Sequence, residues 1–321
     1  MDHPLSRQAP DLPSAPLAAS PEVGAVVAGR FTLEALAGQG GMGNVYRARD
    51  SLSGQRVALK LLHPFSSADS LLRFSREAAV LSALRHPGIV AYVAHGHTEQ
   101  QQPFLAMEWL DGEDLSRRLA RQPLGLEEAL ALVRRAAQAL AVAHKQGIIH
   151  RDLKPSNLFL RQGRPEDVVL LDFGLARHTV SAPAVTASHM VLGTPGYMSP
   201  EQVSGQSQLT PAADIFSLGC ILYECLTGQA PFSAPHLAAS LAKILFAEPR
   251  RLRELRPELP RALEEVVERM LAKEPARRFP EASSLLGALV PASSWEGRAS
   301  SAATSCPASG GRRTGSLASM R

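Results

Sequence analysis

The chain has 321 residues, of which 45% are hydrophobic and 20% are charged, a composition typical of a globular protein and not of a disordered one. The formal net charge is +4, and residues 291–321 carry +3 of it, so the remainder is nearly neutral and gives no sign of a nucleic-acid-binding face. Cys220, Cys225 and Cys306 are too few for a disulfide framework, and no apolar run reaches the roughly 18–20 residues of a membrane helix. These features predict a soluble, cytoplasmic protein.

The first predicted elements surround a glycine-rich loop. Residues 1–22 contain five prolines among alanines and serines, which predicts a disordered leader. Residues 31–36 alternate in polarity as a strand does, and residues 38–45 then have the sequence GQGGMGNV, which fits G-x-G-x-x-G-x-V. That pattern alone also suits a dinucleotide-binding fold, but such a fold continues into a helix. Here residues 44–50 have a strand-like pattern, so the predicted order is strand, glycine loop, strand.

A lysine and a glutamate follow, one on a strand and one on a helix. Residues 57–60 have the sequence VALK and predict a strand that ends at Lys60. Residues 71–81 place apolar side chains at helical spacing and include Glu77. Either charge alone is usually solvated, and a surface ion pair contributes under about 1 kcal/mol. Only the neighbouring motifs favour a functional role for them.

The middle of the chain combines an apolar strand, a long helix and a polar run. The strand over residues 104–107 is followed by the sequence EWL, and residues 127–145 predict an amphipathic helix that ends before Gly147. Residues 150–157 have the sequence HRDLKPSN. A further strand then leads to the sequence DFG at residues 172–174.

The last third of the chain is predicted to be helical. Residues 193–201 have the sequence GTPGYMSPE and are followed by a helix for which Thr210 is the predicted N-cap, with Pro211 in its first turn. A later run, EPARRF, occupies residues 274–279. Residues 291–321 are rich in Ser, Ala and Gly and predict a flexible tail.

In this order the motifs resemble those of a eukaryotic-like (Hanks-type) serine/threonine protein kinase of the bacterial branch, over about residues 29–290. The most specific part is the run HRDLKPSN with the DFG turn that follows it, because together they space a lysine and two metal ligands as that family does. The resemblance implies an α+β, two-lobed fold over residues 23–290. A small β-rich N-lobe with one helix, αC, would occupy residues 23–107, the hinge residues 108–110, and a larger helical C-lobe residues 111–290.

The resemblance also implies the catalytic residues. Asp152 would orient the substrate hydroxyl and accept its proton, while Lys154 would neutralise the moving phosphoryl group. Lys60, held by Glu77, would bind the α- and β-phosphates of ATP. Oxygen ligands suit Mg²⁺, with Mn²⁺ as an alternative, and the implied metal ligands are Asn157 and Asp172.

The same resemblance implies a nucleotide pocket between the lobes. Backbone groups of Glu108 and Leu110 would bind adenine, with Met107 as the gatekeeper, and Asp114 is equally a ribose ligand or a helix N-cap. The implied nucleotide-binding residues are Gly38, Gln39, Gly40, Gly41, Met42, Gly43, Val45, Ala58, Lys60, Glu108, Leu110, Asn157, Phe159 and Asp172. A hydrophobic spine linking the lobes would comprise Leu81, Tyr92, His150 and Phe173.

Regulatory and structural roles follow from the resemblance as well. Thr186 and Ser188 are the implied phosphosites of the activation segment, with Arg151 as the counter-charge. Asp214 would anchor the catalytic loop. Glu201 would form a salt bridge with Arg278.

Three functions are weighed. The first is an active serine/threonine kinase that phosphorylates its own activation segment, with a homodimer as a compatible arrangement. The second is a pseudokinase that holds nucleotide as a scaffold, which loss of Lys60, Asp152 or Asp172 would indicate; all three are present. The third is a small-molecule kinase, which usually departs from the intact segment over residues 193–201. The protein substrate and the activating signal are not indicated by the sequence.

Overall fold

A computed structural model describes residues 21–40, 43–63, 74–75, 78–79, 81–173 and 195–289. Within them the chain forms two lobes. The strands are β1 (Val26–Val27), β2 (Phe31–Gly40), β3 (Gly43–Asp50), β4 (Arg56–Leu62), β5 (Tyr92–His97), β6 (Pro103–Glu108), β7 (Gly112–Asp114), β8 (Leu158–Arg161) and β9 (Val168–Leu170). The helices are α1 (Leu115–Leu119), α2 (Leu126–Lys145), α3 (Pro200–Val203), α4 (Ala212–Thr227), α5 (Leu237–Phe246), α6 (Leu252–Leu255), α7 (Arg261–Met270) and α8 (Ala282–Leu286).

The N-terminal lobe is an antiparallel sheet in the order β1-β2-β3-β4-β6-β5. One face of the sheet packs into a core of its own, in which the rings of Phe31 and Phe104 meet edge to face with centroids 5.6 Å apart. Two register shifts in β2, near Ala35 and Gly38, bend the strand where it approaches the glycine loop. Residues 74–75, 78–79 and 81–83 are helical, as predicted for αC.

The C-terminal lobe is built on α2 and α4. Almost every side chain of α4 is buried, which is the pattern of a helix surrounded by protein. Helix α2 ends as predicted, with Gly147 in a left-handed conformation (φ +74°). The predicted cap of α4 was wrong. Pro211 occupies the N-cap position at φ −52° and ψ −23°, and Thr210 contributes its carbonyl oxygen, which accepts from the Ala213 amide.

The C-terminal lobe also contains a three-stranded sheet in the order β7-β8-β9, whose Leu158, Leu160, Val168 and Leu170 pack into its core. Ile89 forms a parallel bridge with Leu170 of β9, and the Val90 amide donates to the Leu170 carbonyl oxygen at 3.0 Å. The segment before β5 is therefore attached to the C-terminal lobe by backbone hydrogen bonds. This arrangement confirms the predicted α+β, two-lobed fold. In the part of the chain that the structure describes, no helix is both long enough and apolar enough to span a membrane.

Candidate active site

The loop over residues 150–157 brings three polar side chains together. Lys154 Nζ lies 3.0 Å from Asp152 Oδ2, and Asn157 Nδ2 donates to the same oxygen at 3.1 Å and to the Asp152 carbonyl at 2.7 Å. A single turn of 3-10 helix, Pro155–Asn157, supplies this spacing, since Pro155 at its first position has no amide to satisfy. The arrangement holds the Asp152 carboxylate between a cation and an amide.

The carboxylate of Asp214, on α4, anchors this loop. It accepts the backbone amides of His150 at 2.8 Å and Arg151 at 2.9 Å, and a third hydrogen bond, from His144 Nε2, at 2.9 Å. Because the Ala282 amide donates to His144 Nδ1, the proton of that ring lies on Nε2 and points to Asp214. Arg151 has a positive φ of +65°, a conformation that these bonds hold in place. The predicted anchoring role of Asp214 is confirmed.

Lys60 and Asp172 meet across the cleft. Lys60 Nζ lies 2.7 Å from Asp172 Oδ2, joining β4 of the N-lobe to the turn after β9. Burial acts to raise the pKa of the Asp172 carboxyl, but the Lys60 ammonium outweighs it and holds that pKa below its usual value. The carboxylate is therefore charged at neutral pH and available to a cation. The predicted partner of Lys60, Glu77, lies outside the described residues.

Within the predicted hydrophobic spine, the rings of His150 and Phe173 are in contact. Their ring centroids are 4.6 Å apart, and both side chains are buried. Leu81 and Tyr92, the other two predicted members of the spine, line one small cavity together with Phe173 and Met107. The Tyr92 hydroxyl is 2.5 Å from His95 Nδ1, a contact that the sequence did not indicate.

The residues predicted to line the adenine pocket lie on β3, β4, β6 and β8 and just after β6. Val45 is opposite Lys60 in the β3–β4 register, Ala58 is opposite Met107, and Phe159 lies half-buried on β8 of the other lobe. Glu108 ends β6, and Leu110 follows it, partly exposed. An apolar lining with a backbone edge would suit a flat heteroaromatic ring, and the adenine site stays a prediction.

The glycine loop is described at both of its ends. Gly38, Gln39 and Gly40 complete β2, and Gly43 begins β3 at φ +142°. A Cβ on Gly43 would lie 2.0 Å from the Leu61 carbonyl oxygen, so only glycine fits there. Gly41 and Met42, between these ends, lie outside the described residues, as do Gly174, Thr186, Ser188 and Thr194.

The structure confirms the N-cap alternative for Asp114, while the ribose alternative stays a prediction. Its carboxylate accepts the Arg117 amide at 3.1 Å and contacts the Ser116 hydroxyl, so the residue is the N-cap of α1. Glu201 and Arg278 form the predicted salt bridge, at 2.7 and 2.9 Å.

Three contacts were missed by sequence reasoning. Gln202 Nε2 donates to the Arg151 carbonyl at 2.8 Å, and the Tyr197 hydroxyl donates to Glu224 at 2.6 Å. Arg161 of β8 lies 2.9 Å from both carboxylate oxygens of Glu108. Each joins residues 27 to 53 positions apart, and no local pattern marks such a pair.

Comparison with known proteins gives a consistent picture. Residues 31–287 match the family model described as protein kinase domain. The chain is 40% identical over 266 residues to the serine/threonine-protein kinase pkn3 of Myxococcus xanthus, covering 80% of this chain and 48% of that protein. It is 38% identical over 267 residues to PknA of Mycobacterium tuberculosis, covering 81% of this chain and 60% of that protein. The chain thus spans about half to three-fifths of these relatives.

A solved structure is similar over most of the same region. The crystal structure of Rad53 1–466 in complex with AMP-PNP superposes with a TM-score of 0.67 and 26% sequence identity. The alignment covers 81% of this chain and 66% of that one. The similarity extends across both lobes of the fold.

Proposed function

This chain belongs to the protein kinase family, in its bacterial serine/threonine branch, and we propose that it transfers the γ-phosphoryl group of ATP to serine and threonine hydroxyls of proteins. One observation carries the proposal. A single interlobe cleft contains Lys60 paired with Asp172 and, beside them, Asp152 contacting both Lys154 and Asn157. Phosphoryl transfer depends mainly on positioning and on neutralising charge, and these are the side chains it requires.

In the proposed reaction, Asp152 accepts the hydroxyl proton as the substrate oxygen bonds to the γ-phosphorus. The bond between that phosphorus and the β,γ-bridging oxygen breaks, and its electron pair stays on ADP. Lys154 lies 3.0 Å from Asp152 and is placed to neutralise the transferring group. Lys60 would bind the α- and β-phosphates, exchanging its present contact with Asp172 for the nucleotide.

The donor set fits a hard divalent cation. Asn157 makes both of its hydrogen bonds to Asp152 through Nδ2, and Oδ1 is the atom with which an asparagine ligates metals. The lowered pKa of Asp172 keeps its carboxylate ionised. Asn157 and Asp172 would therefore hold Mg²⁺, or Mn²⁺ in its place. The bound cation would offset charge on the ATP phosphates.

Features outside the described residues complete the proposal. Thr186 and Ser188 are the proposed autophosphorylation sites, and two copies of the chain would phosphorylate each other's segments. A cytoplasmic location stays a prediction. The scaffold alternative is less well supported, because Lys60, Asp152 and Asp172 are all present and grouped in the cleft.

The first test is phosphoryl transfer by the purified chain. With ATP and Mg²⁺, the wild type should acquire phosphate on Thr186 or Ser188, mapped by mass spectrometry. Asp152→Asn should lower the rate by about 10²–10⁴-fold, since it removes the proton acceptor but retains a hydrogen-bonding group.

The control is Asp167→Asn, a surface aspartate of the same lobe whose partners are Arg135 and Arg164. It should phosphorylate at the wild-type rate. Nucleotide binding without phosphate transfer in the wild type, to itself or to a general protein substrate, would instead support the scaffold.

A further inference from the structure

The carboxylate of Glu108 holds together three parts of the molecule that meet at the hinge. Glu108 is the last residue of β6 and the first residue of the predicted hinge. Its Oε1 accepts the Ala91 amide at 2.8 Å, while its own amide donates to the Ala91 carbonyl at 2.9 Å. Arg161 Nη2 lies 2.9 Å from each carboxylate oxygen. Glu108 therefore binds the segment before β5 through both its backbone and its side chain. The same side chain also binds the Arg161 cation of the C-terminal lobe.

Arg161 belongs to the C-terminal lobe. It lies on β8, where it is opposite Gly112 of β7, and the next residue, Gln162, donates its amide to the Asp111 carbonyl at 2.9 Å. The strand β8 thus supports the C-terminal end of the hinge by backbone hydrogen bonds. The Arg161 side chain extends this support to the N-terminal end, at Glu108.

The Ala91 side of the contact is also anchored in the C-terminal lobe. Val90, beside Ala91, donates its amide to Leu170 of β9, and the Leu170 amide donates to the Gly88 carbonyl at 2.9 Å. Both partners of the Glu108 carboxylate are thus connected to the small sheet that contains β8 and β9. Movement of Glu108 relative to that sheet would break hydrogen bonds on two sides.

From these contacts we infer that the Glu108–Arg161 ion pair positions the hinge backbone for adenine, so that Arg161, which is not among the predicted nucleotide-binding residues, determines nucleotide affinity. The inference rests on the proposed nucleotide-binding function. Adenine would bind the backbone groups of Glu108 and Leu110, and a backbone edge binds well only if it is held in place before the ligand arrives. Arg161 is thus a positioning residue that acts through Glu108.

The size of the effect follows from the exposure of the pair. The side chains of Arg161 and Glu108 are 28% and 30% exposed, so water screens the interaction in part. Partly exposed ion pairs contribute modestly, which corresponds to a loss of about threefold to fivefold in affinity when one is removed. A change of this size is easily measured by titration.

The experiment uses the whole 321-residue chain and a fluorescent ADP, N-methylanthraniloyl-ADP, with Mg²⁺. Arg161→Ala removes the cation. Glu108→Gln keeps an oxygen that can accept the Ala91 amide but removes the charge. Each variant should raise the Kd by about threefold to fivefold, and the double variant should raise it no further, because both changes delete one interaction.

The matched control is Arg164→Ala. Arg164 is three residues away, is 54% exposed, and pairs at 3.1 Å with Asp167, which is not a hinge residue. Its Kd should equal that of the wild type. A Kd for Arg161→Ala equal to this control would overturn the inference, as would effects of the two single variants that add in the double variant. Tighter ADP binding by Arg161→Ala would overturn it too, since the pair would then restrain the hinge away from its binding geometry.

A second readout separates this inference from the proposed function. Amide hydrogen exchange over residues 107–113, measured without nucleotide, should be faster in Arg161→Ala and in Glu108→Gln than in Arg164→Ala. If the wild type bound no ADP, the proposed function would fail, while unchanged exchange in these variants would independently refute the role of Arg161. In an active enzyme, the KM for ATP should rise in Arg161→Ala while kcat stays near the wild-type value.

Discussion

At the scale of single residues, His150 connects the catalytic loop to the strand that carries Asp172. Its Nε2 donates to the Leu171 carbonyl oxygen at 2.7 Å, and its Nδ1 accepts the Asp152 amide at 3.3 Å. The ring is fully buried against Phe173. Burial lowers the pKa of His150 from its usual 6.5, against the opposing charges of Asp214, Asp152 and Asp172. A proton on Nδ1 would also face the Asp152 amide, another donor.

This lowered pKa predicts a dependence of stability on pH. Below pH 6.5 the unfolded chain takes up a proton at His150 that the folded chain resists, so the contribution to stability is complete above that pH and is lost as the pH falls toward the folded pKa. His150→Phe keeps a ring against Phe173 and removes the titration. The free energy of unfolding, measured with urea, should fall between pH 7.5 and pH 5.5 in the wild type. This fall should be about 1 kcal/mol larger than in the variant. His236→Phe, an exposed site, should follow the wild type; parallel curves for His150→Phe and the wild type would contradict the prediction.

At the scale of elements, Arg278 joins four segments of the C-terminal lobe. Its guanidinium binds both oxygens of Glu201 in α3, and it donates to the carbonyl oxygens of Ala212, Ala272 and Lys273 at 2.7–3.0 Å. The side chain is fully buried. Its five bonds use all three guanidinium nitrogens, a geometry that a lysine ammonium cannot reproduce.

Replacing this residue should therefore be costly. Arg278→Lys would keep the charge but leave buried carbonyl oxygens without donors, so we expect a loss of about 3 kcal/mol in the free energy of unfolding. Equilibrium unfolding in guanidinium chloride measures this loss. The control is Arg277→Lys at the exposed neighbouring position, which should cost under about 0.5 kcal/mol. Equal losses of unfolding free energy at the two positions would contradict the prediction, because the buried hydrogen bonds of Arg278 would then add no stability.

The same elements show what the sequence could predict and what it could not. Short runs such as the one at residues 150–157 indicated which side chains come together, because Asp152, Lys154 and Asn157 are close in sequence and their hydrogen bonds are local. The helix end at Gly147 was predicted for the same reason. The Thr210 cap was wrong, because which residue caps α4 depends on backbone angles at Pro211 that composition does not specify. Arg161 could not be identified, since its importance depends on the packing of β8 beside a hinge 53 residues earlier.

At the scale of the whole molecule, both ends of the described chain are attached to the two lobes. Near the N-terminus, β1 pairs with β2, and the Gly24 amide donates to the Leu33 carbonyl at 2.8 Å. Near the C-terminus, Leu289 is buried, and its carbonyl oxygen accepts Arg134 Nη2 of α2 at 2.7 Å. Both described ends are therefore packed into a lobe, and the domain limits of 23–290 stay a prediction.

These attachments predict where the chain can be shortened. Residues 21–290 alone should fold and bind ADP with Mg²⁺, with a thermal midpoint within about 2 °C of the full chain, because all of the described core is retained. Differential scanning fluorimetry with and without ADP measures both properties. A chain that stops at residue 283 would lose Leu285 and Leu289, which are buried against the C-terminal lobe and contribute about 2 kcal/mol each. It should melt many degrees lower, and equal midpoints for the two shortened chains would place the domain boundary earlier than the packing of α8 implies.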